Sequence, residues 1–350
     1  MSKPELAFAC DGPGGQLRLR SLAIRVHVRA CDWKDGGLKT RELGRDLQRN
    51  AWTAFALEGY AASSCRDLDL ELYAGTAMFD SGPRHHRYCH GLPSAYNFVK
   101  EDMNGTSPKF YARDNYGVKW LVKLGVEARP ETAATRLVWA MGYFTDEDYF
   151  LPQIHVRNLP KLRRKMFGAS PETGIVPSVR LKRQGEALKK VENWNWFDNP
   201  FVGTRELNGL RALMAVINDW DLTTENNKVY VGDNERHYLV SDLGAAVGKT
   251  GWPPSQVPLF PHATKGVLKD YEHSRFIRAV TGDAVTFEMH TTAPFFISRF
   301  KRKYSNEYRQ AERLEQGIPV LDTEWIGGLL VRLTPQQIRD AFRAAGYQPT

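Results

Sequence analysis

Asn218-Asp219-Trp220-Asp221-Leu222-Thr223-Thr224-Glu225-Asn226-Asn227 is an acidic turn set between a helical pattern and a hairpin. Upstream, Leu207, Leu210, Met214 and Ile217 recur at helical spacing, with Thr204 placed to cap the first turn. Downstream, Lys228-Val229-Tyr230-Val231 and His237-Tyr238-Leu239-Val240 read as paired strands that deliver Ser241-Asp242-Leu243-Gly244 to the same end. Two carboxylates and an amide therefore fall on loops bounded by regular elements. Asp221 precedes Asn226 by five positions and Asp242 by 21. An Asp that orients an attacking hydroxyl, with an Asn and an Asp on Mg²⁺, is the set that phosphoryl transfer uses. Mg²⁺ takes hard oxygen ligands and needs only one or two carboxylates beside the substrate phosphates. Asp and Asn also populate turns for local backbone reasons, so D-x-x-x-x-N alone says little. The order of helix, acidic turn, hairpin and D-x-G, with a lysine upstream, says more.

That lysine is Lys123. Tyr96 to Lys100, Phe110 to Arg113 and Lys119 to Lys123 read as three antiparallel strands. The polar turn between the first two holds Gly105, Thr106, Ser107 and Lys109, where small residues let backbone N–H groups approach an anion. Lys123 can serve as a point charge on phosphates or as an edge-strand solubiliser. A helix opens at Pro130 and stops at Gly142, with Glu131 in its first turn. Glu131 can reach back to Lys123, complement the helix dipole, or do both.

Length and composition set the bounds. With 350 residues, 42% hydrophobic and 11% aromatic, the chain is globular and long enough for a sizeable core. It carries no apolar run of membrane-spanning length and no hydrophobic leader, and Cys10, Cys31, Cys65 and Cys89 form no CxxC pair. The expectation is a reducing, cytoplasmic setting. Net charge is +8, and residues 157–190 supply it with ten Lys or Arg against Glu172 and Glu186. Phe167 is the one aromatic residue interleaved there, which weighs against nucleic acid. A solvated insertion, whose charges at Arg163, Arg164 and Lys165 nucleotide binding does not need, is the expected reading. Arg84-His85-His86-Arg87-Tyr88-Cys89-His90 has zinc-type ligands but no second ligand pair, and reads as a surface loop. Further strands are expected at 154–157 and 175–181. Helices are expected at 268–279, 305–316, 322–332 and 334–346, and an extended piece at 284–289.

Gly105-Thr106-Ser107-Pro108-Lys109-Phe110 and Trp120-Leu121-Val122-Lys123 together resemble the G-x-x-P-K loop and nucleotide-binding lysine strand of HipA-type kinases. Asp221, Asn226 and Asp242-Leu243-Gly244 are similar to the catalytic and metal-binding loops of those enzymes and of phosphoinositide-kinase-like enzymes. The resemblance spans about residues 95 to 250. It implies an α+β, two-lobed protein-kinase-like fold with a small antiparallel-sheet N-lobe over residues 71–185 and a mostly helical C-lobe over 186–350. Residues 1–70 are then an appended or poorly ordered segment. It implies an ATP- and Mg-dependent phosphotransferase acting on a protein or small-molecule hydroxyl. The alternatives are a nucleotide-binding pseudokinase or a kinase-fold nucleotidyltransferase. Lys123, Glu131, Gly105, Thr106, Ser107 and Lys109 would bind the nucleotide. Asp221 would be the catalytic base, with Asp219 able to exchange roles with it. Asp242 would hold metal with Asn226 or Asn227.

Overall fold

The computed structural model describes residues 95–105, 107–184, 189–232, 235–249, 264–274, 276–288, 310 and 312–348. The cysteines, the histidine-rich stretch at 84–90, the segment 1–70 and Thr106 lie outside the described residues. The expected boundary at 185/186 does too.

Five strands form a closed barrel: β1 (Ala95–Asp102), β2 (Lys109–Asp114), β3 (Lys119–Leu124), β4 (Asp148–Arg157) and β5 (Ile175–Arg183), in the order β1-β2-β3-β5-β4. Neighbours run antiparallel except at the seam, where β1 meets β4 in parallel through Tyr96 and Val156. The period-2 alternation of strands sends Phe110, Ala112, Trp120, Val122 and Leu181 inward. Leu159 and Leu162, just past β4, complete that core. The same alternation turns Lys123, Arg180 and Lys182 to the outside wall, with Lys123 directly across from Arg180. Ser178 takes a left-handed φ of 52°, which shifts the inward parity from Val176 to Val179 and so sets Arg180 outward.

Helix α1 (Ala128–Ala140) lies on that outer wall. Beyond it the chain forms β6 (Lys189–Glu192), α2 (Arg205–Val216), β7 (Lys228–Gly232) and β8 (Glu235–Leu239). Next come α3 (Leu268–Glu272), β9 (Ile277–Thr281), β10 (Ala284–Phe287) and β11 (Ile318–Pro319). The described chain then ends with α4 (Val320–Leu330) and α5 (Pro335–Ala344). The strands make two three-stranded sheets, β6-β7-β8 and β11-β10-β9. A second core joins α1, α2 and α4 through Val138, Leu213, Met214, Ile326 and Leu329, together with Trp194 and Trp196. No helix among the described residues is long and apolar enough to cross a membrane.

The two-lobed kinase-like fold with a mostly helical C-lobe is therefore corrected. A closed barrel replaces the small open sheet, because β4 starts at Asp148 and pairs with β5 as far as His155, and its end pairs with β1 through His155, Val156 and Arg157. After residue 189 the described chain holds six strands in two sheets beside its helices. The helix expected over 268–279 ends at Glu272. β-Branched Ile277, Val280 and Thr281 favour a strand, and Gly282 at φ 61° turns it back into β10. The expected helix at 305–316 falls largely outside the described residues. The three strands around residues 96–123, the helix opened by Pro130 and the Thr204-capped helix match expectation closely.

Candidate active site

Lys123 is the hub. Its side chain is 2% exposed, and its Nζ lies 2.6 Å from Asp242, 2.6 Å from Glu127 and 3.0 Å from Glu131. Burial opposes the ammonium charge, but Glu131, Asp242 and Glu127 outweigh it and hold Lys123 well above its ordinary value. Glu131, fully buried on α1, gives its other oxygen to Arg180 at 2.8 Å. So the helix after β3 and the strand beside it fix the lysine from two sides. Asp242 adopts left-handed backbone, φ 58° and ψ 49°, a conformation that Asp tolerates better than most residues. Burial pushes its carboxyl up, yet Lys123 holds it well below the usual range. Asp242 keeps 40% of its side chain exposed, so it has both charge and room for a further ligand. Gly244 is needed here: a Cβ there would sit 2.8 Å from the Cβ of Glu127.

The turn between β1 and β2 faces this hub. Gly105 has φ 63°, and the Nζ of Lys109 comes 3.3 Å from where a Cβ would stand. Burial lowers the Lys109 pKa while the charges of Asp242 and Asp102 pull the other way. Ser107 Oγ donates to Glu127 at 2.7 Å.

Arg164 holds the turn from behind. Its guanidinium donates to the carbonyls of Ser107 (3.0 Å), Asn104 (3.5 Å) and Met103. The backbone N–H groups of Arg163 and Arg164 meet the carboxylate of Glu101 at 3.0 and 3.2 Å. In a planar trans peptide the C=O and the next N–H point opposite ways. With the Asn104 carbonyl on Arg164, the Gly105 N–H faces away from Arg164. The basic segment thus departs from the solvated reading at Arg164. Arg164→Ala should weaken ATP binding about tenfold, the order expected for charge-assisted hydrogen bonds. Arg163→Ala, which spares that residue's backbone contact, should not. A titration of both variants checks this.

The acidic turn follows α2, whose cap is the Thr204 hydroxyl accepting from Leu207 N. Asn218, at φ 56°, ties its amide to Gly248 O and Ser274 Oγ. Asp219 is 1% exposed and accepts from the N–H of Asp221 at 3.2 Å. Burial and the neighbouring Asp221 raise its pKa well above the usual carboxylate range. Asp221 is half-buried, and the Asn226 amide donates to its carbonyl at 2.8 Å. Asn227 is buried and donates instead to Trp194 O at 3.3 Å. Asn226 therefore shares the Asp221 turn, whereas Asn227 braces a wall. Lys265 links turn and hub: its Nζ is 2.6 Å from Glu127 and 4.9 Å above the Trp220 ring, within electrostatic reach of Asp219.

Behind Asp242 lies a cluster that sequence reasoning missed. The Asp146 carboxylate accepts from Ser241 Oγ and Lys182 Nζ, with Lys228 at 3.5 Å. One carboxylate faces two ammonium groups, and burial with Lys182 nearby pulls Lys228 down to about 7 against the attraction of Asp146. The cluster pins Ser241 and hence the approach to Asp242. Its members are 95 positions apart at the extreme, with no spacing signal to find them by.

No three-member cluster of His, Cys, Asp or Glu suited to a metal occurs among the described residues. The partly exposed Asp242 carboxylate is a hard oxygen of the kind Mg²⁺ takes beside a phosphate ligand, while the Asn226 amide is held at the Asp221 carbonyl. Comparison with family models, with curated proteins and with solved structures finds no match for this chain.

Proposed function

We propose that the chain transfers a phosphoryl group from Mg-ATP to a hydroxyl of a protein or small-molecule acceptor, in a cytoplasmic setting. The observation that carries this reading is the convergence of Lys123 and Asp242, 2.6 Å apart, with Ser107 of the glycine turn joined to Lys123 through Glu127. Lys123 and Lys109 neutralise phosphate oxygens, and the Gly105 turn covers them. Asp242, with Asn226, would hold Mg²⁺, which would supply further charge neutralisation on the phosphates. Asp221 takes the proton of the acceptor hydroxyl as its oxygen bonds to the γ-phosphorus and the bond to ADP breaks. Asp219 fixes the Asp221 backbone. The likeness to HipA-type kinases enters as a likeness of these residues, without the fold.

The test is ADP formation from γ-labelled Mg-ATP, with labelled phosphate recovered on water or acceptor. Mg-dependent turnover lost in Asp221→Asn supports the reading. Saturable ATP binding with no turnover under any acceptor condition overturns it.

A further inference from the structure

We infer that Ser107, Lys123 and Lys265 form a phosphoryl-group site whose present occupant is the carboxylate of Glu127. The inference deepens the proposed function and rests on its reading of the ligand as a phosphate compound. Glu127 uses one oxygen for Ser107 Oγ at 2.7 Å and Lys123 Nζ at 2.6 Å, and the other for Lys265 Nζ at 2.6 Å. Two ammonium groups and a hydroxyl around one anionic carboxylate are the donors that a phosphoryl group would use.

Among the described residues the Glu127 carboxylate forms hydrogen bonds or ion pairs with Ser107, Lys123 and Lys265 and with no other group. Glu127 precedes α1, yet its side chain caps no helix N–H. Lys123 keeps Glu131 and Asp242 if Glu127 leaves. Among the described residues Glu127 is the one carboxylate within ion-pair distance of Lys265, so its departure leaves that ammonium open for a ligand. Both groups reach solvent, Glu127 at 15% and Lys265 at 24% exposure, whereas Lys123 is sealed. Lys265 also sits over Trp220, so an anion on it lies at the Asp221 turn. A ligand phosphate therefore competes with Glu127, and apparent affinity is reduced by the fraction of molecules in which Glu127 holds the site. Lys265 becomes a ligand-binding residue through that exchange.

The experiment titrates inorganic pyrophosphate into the full chain by calorimetry. Glu127→Gln should tighten binding about tenfold, and adding Lys265→Met should cancel the gain. Unchanged or weaker binding in a folded Glu127→Gln chain overturns the inference, and so does a gain that survives Lys265→Met. If Glu127→Gln melts before titration, Glu127→Asp draws the carboxylate one methylene back from Lys265 and should show the same sign of change. An Asp variant without tighter binding overturns the proposal equally. Pyrophosphate binding is read without turnover. Its failure leaves the transfer assay untouched, and a failed transfer assay leaves this result standing.

Discussion

Replacing Lys123 by methionine should destabilise the protein by about 3–5 kcal/mol, the range for removing one partner from a buried ion-pair network. Nucleotide binding should be lost as well. Its place near the end of a strand suggests that the fold would tolerate the change, but the packing says otherwise. Glu131 has no exposed surface, and Lys123 is its closest cation apart from Arg180. Without the ammonium, Glu127, Glu131 and Asp242 crowd together as like charges. Adding Glu131→Gln to Lys123→Met should recover part of the lost stability, since it removes the most buried of the uncompensated charges. Denaturant unfolding of the single and double variants measures both effects. A Lys123→Met chain within about 1 kcal/mol of wild type would mean the network is worth no more than a surface pair.

Asp221→Asn should lower turnover by about 10²–10⁴-fold while Mg-ATP binding stays nearly intact, because a general base acts only during transfer. Asp219→Asn should behave differently. Its carboxyl is buried and held toward the neutral form, and an amide oxygen can still accept from the Asp221 N–H. A neutral isostere should therefore leave turnover within a few-fold of wild type, by about the worth of one neutral hydrogen bond. Steady-state rates and nucleotide titrations of the two variants decide between them. If Asp219→Asn abolishes turnover and Asp221→Asn does not, the two aspartates exchange roles.

Local features of this chain were legible because short-range rules govern them. Alternation marked the strands carrying Lys123, Pro130 marked the start of α1, and Thr204 capped α2 as its type suggests. The pairing of Glu131 with Lys123 followed from one helix turn after one strand. What escaped the sequence was made by distant contacts. The parallel seam of β1 with β4 closes a barrel that no periodicity announces, and it overturned the two-lobed expectation. That Asn227 braces a wall instead of sharing the Asp221 turn needed the Trp194 carbonyl, 33 positions away. Arg164 looked like one charge among ten until its guanidinium met the carbonyls of the β1–β2 turn. Lys265 lies 138 positions from Glu127 and carried no motif at all.

The most direct measurement is a calorimetric titration of ATP into the full chain with and without Mg²⁺, on wild type and Asp242→Asn. The account predicts saturable binding to wild type that Mg²⁺ tightens, and loss of the Mg²⁺ effect in Asp242→Asn, which removes one negative charge beside the metal. At a hundred times Kd, bound ATP should also raise the unfolding free energy by about 2.7 kcal/mol. Absence of ATP binding to the folded wild-type chain in either condition would contradict the account at its root.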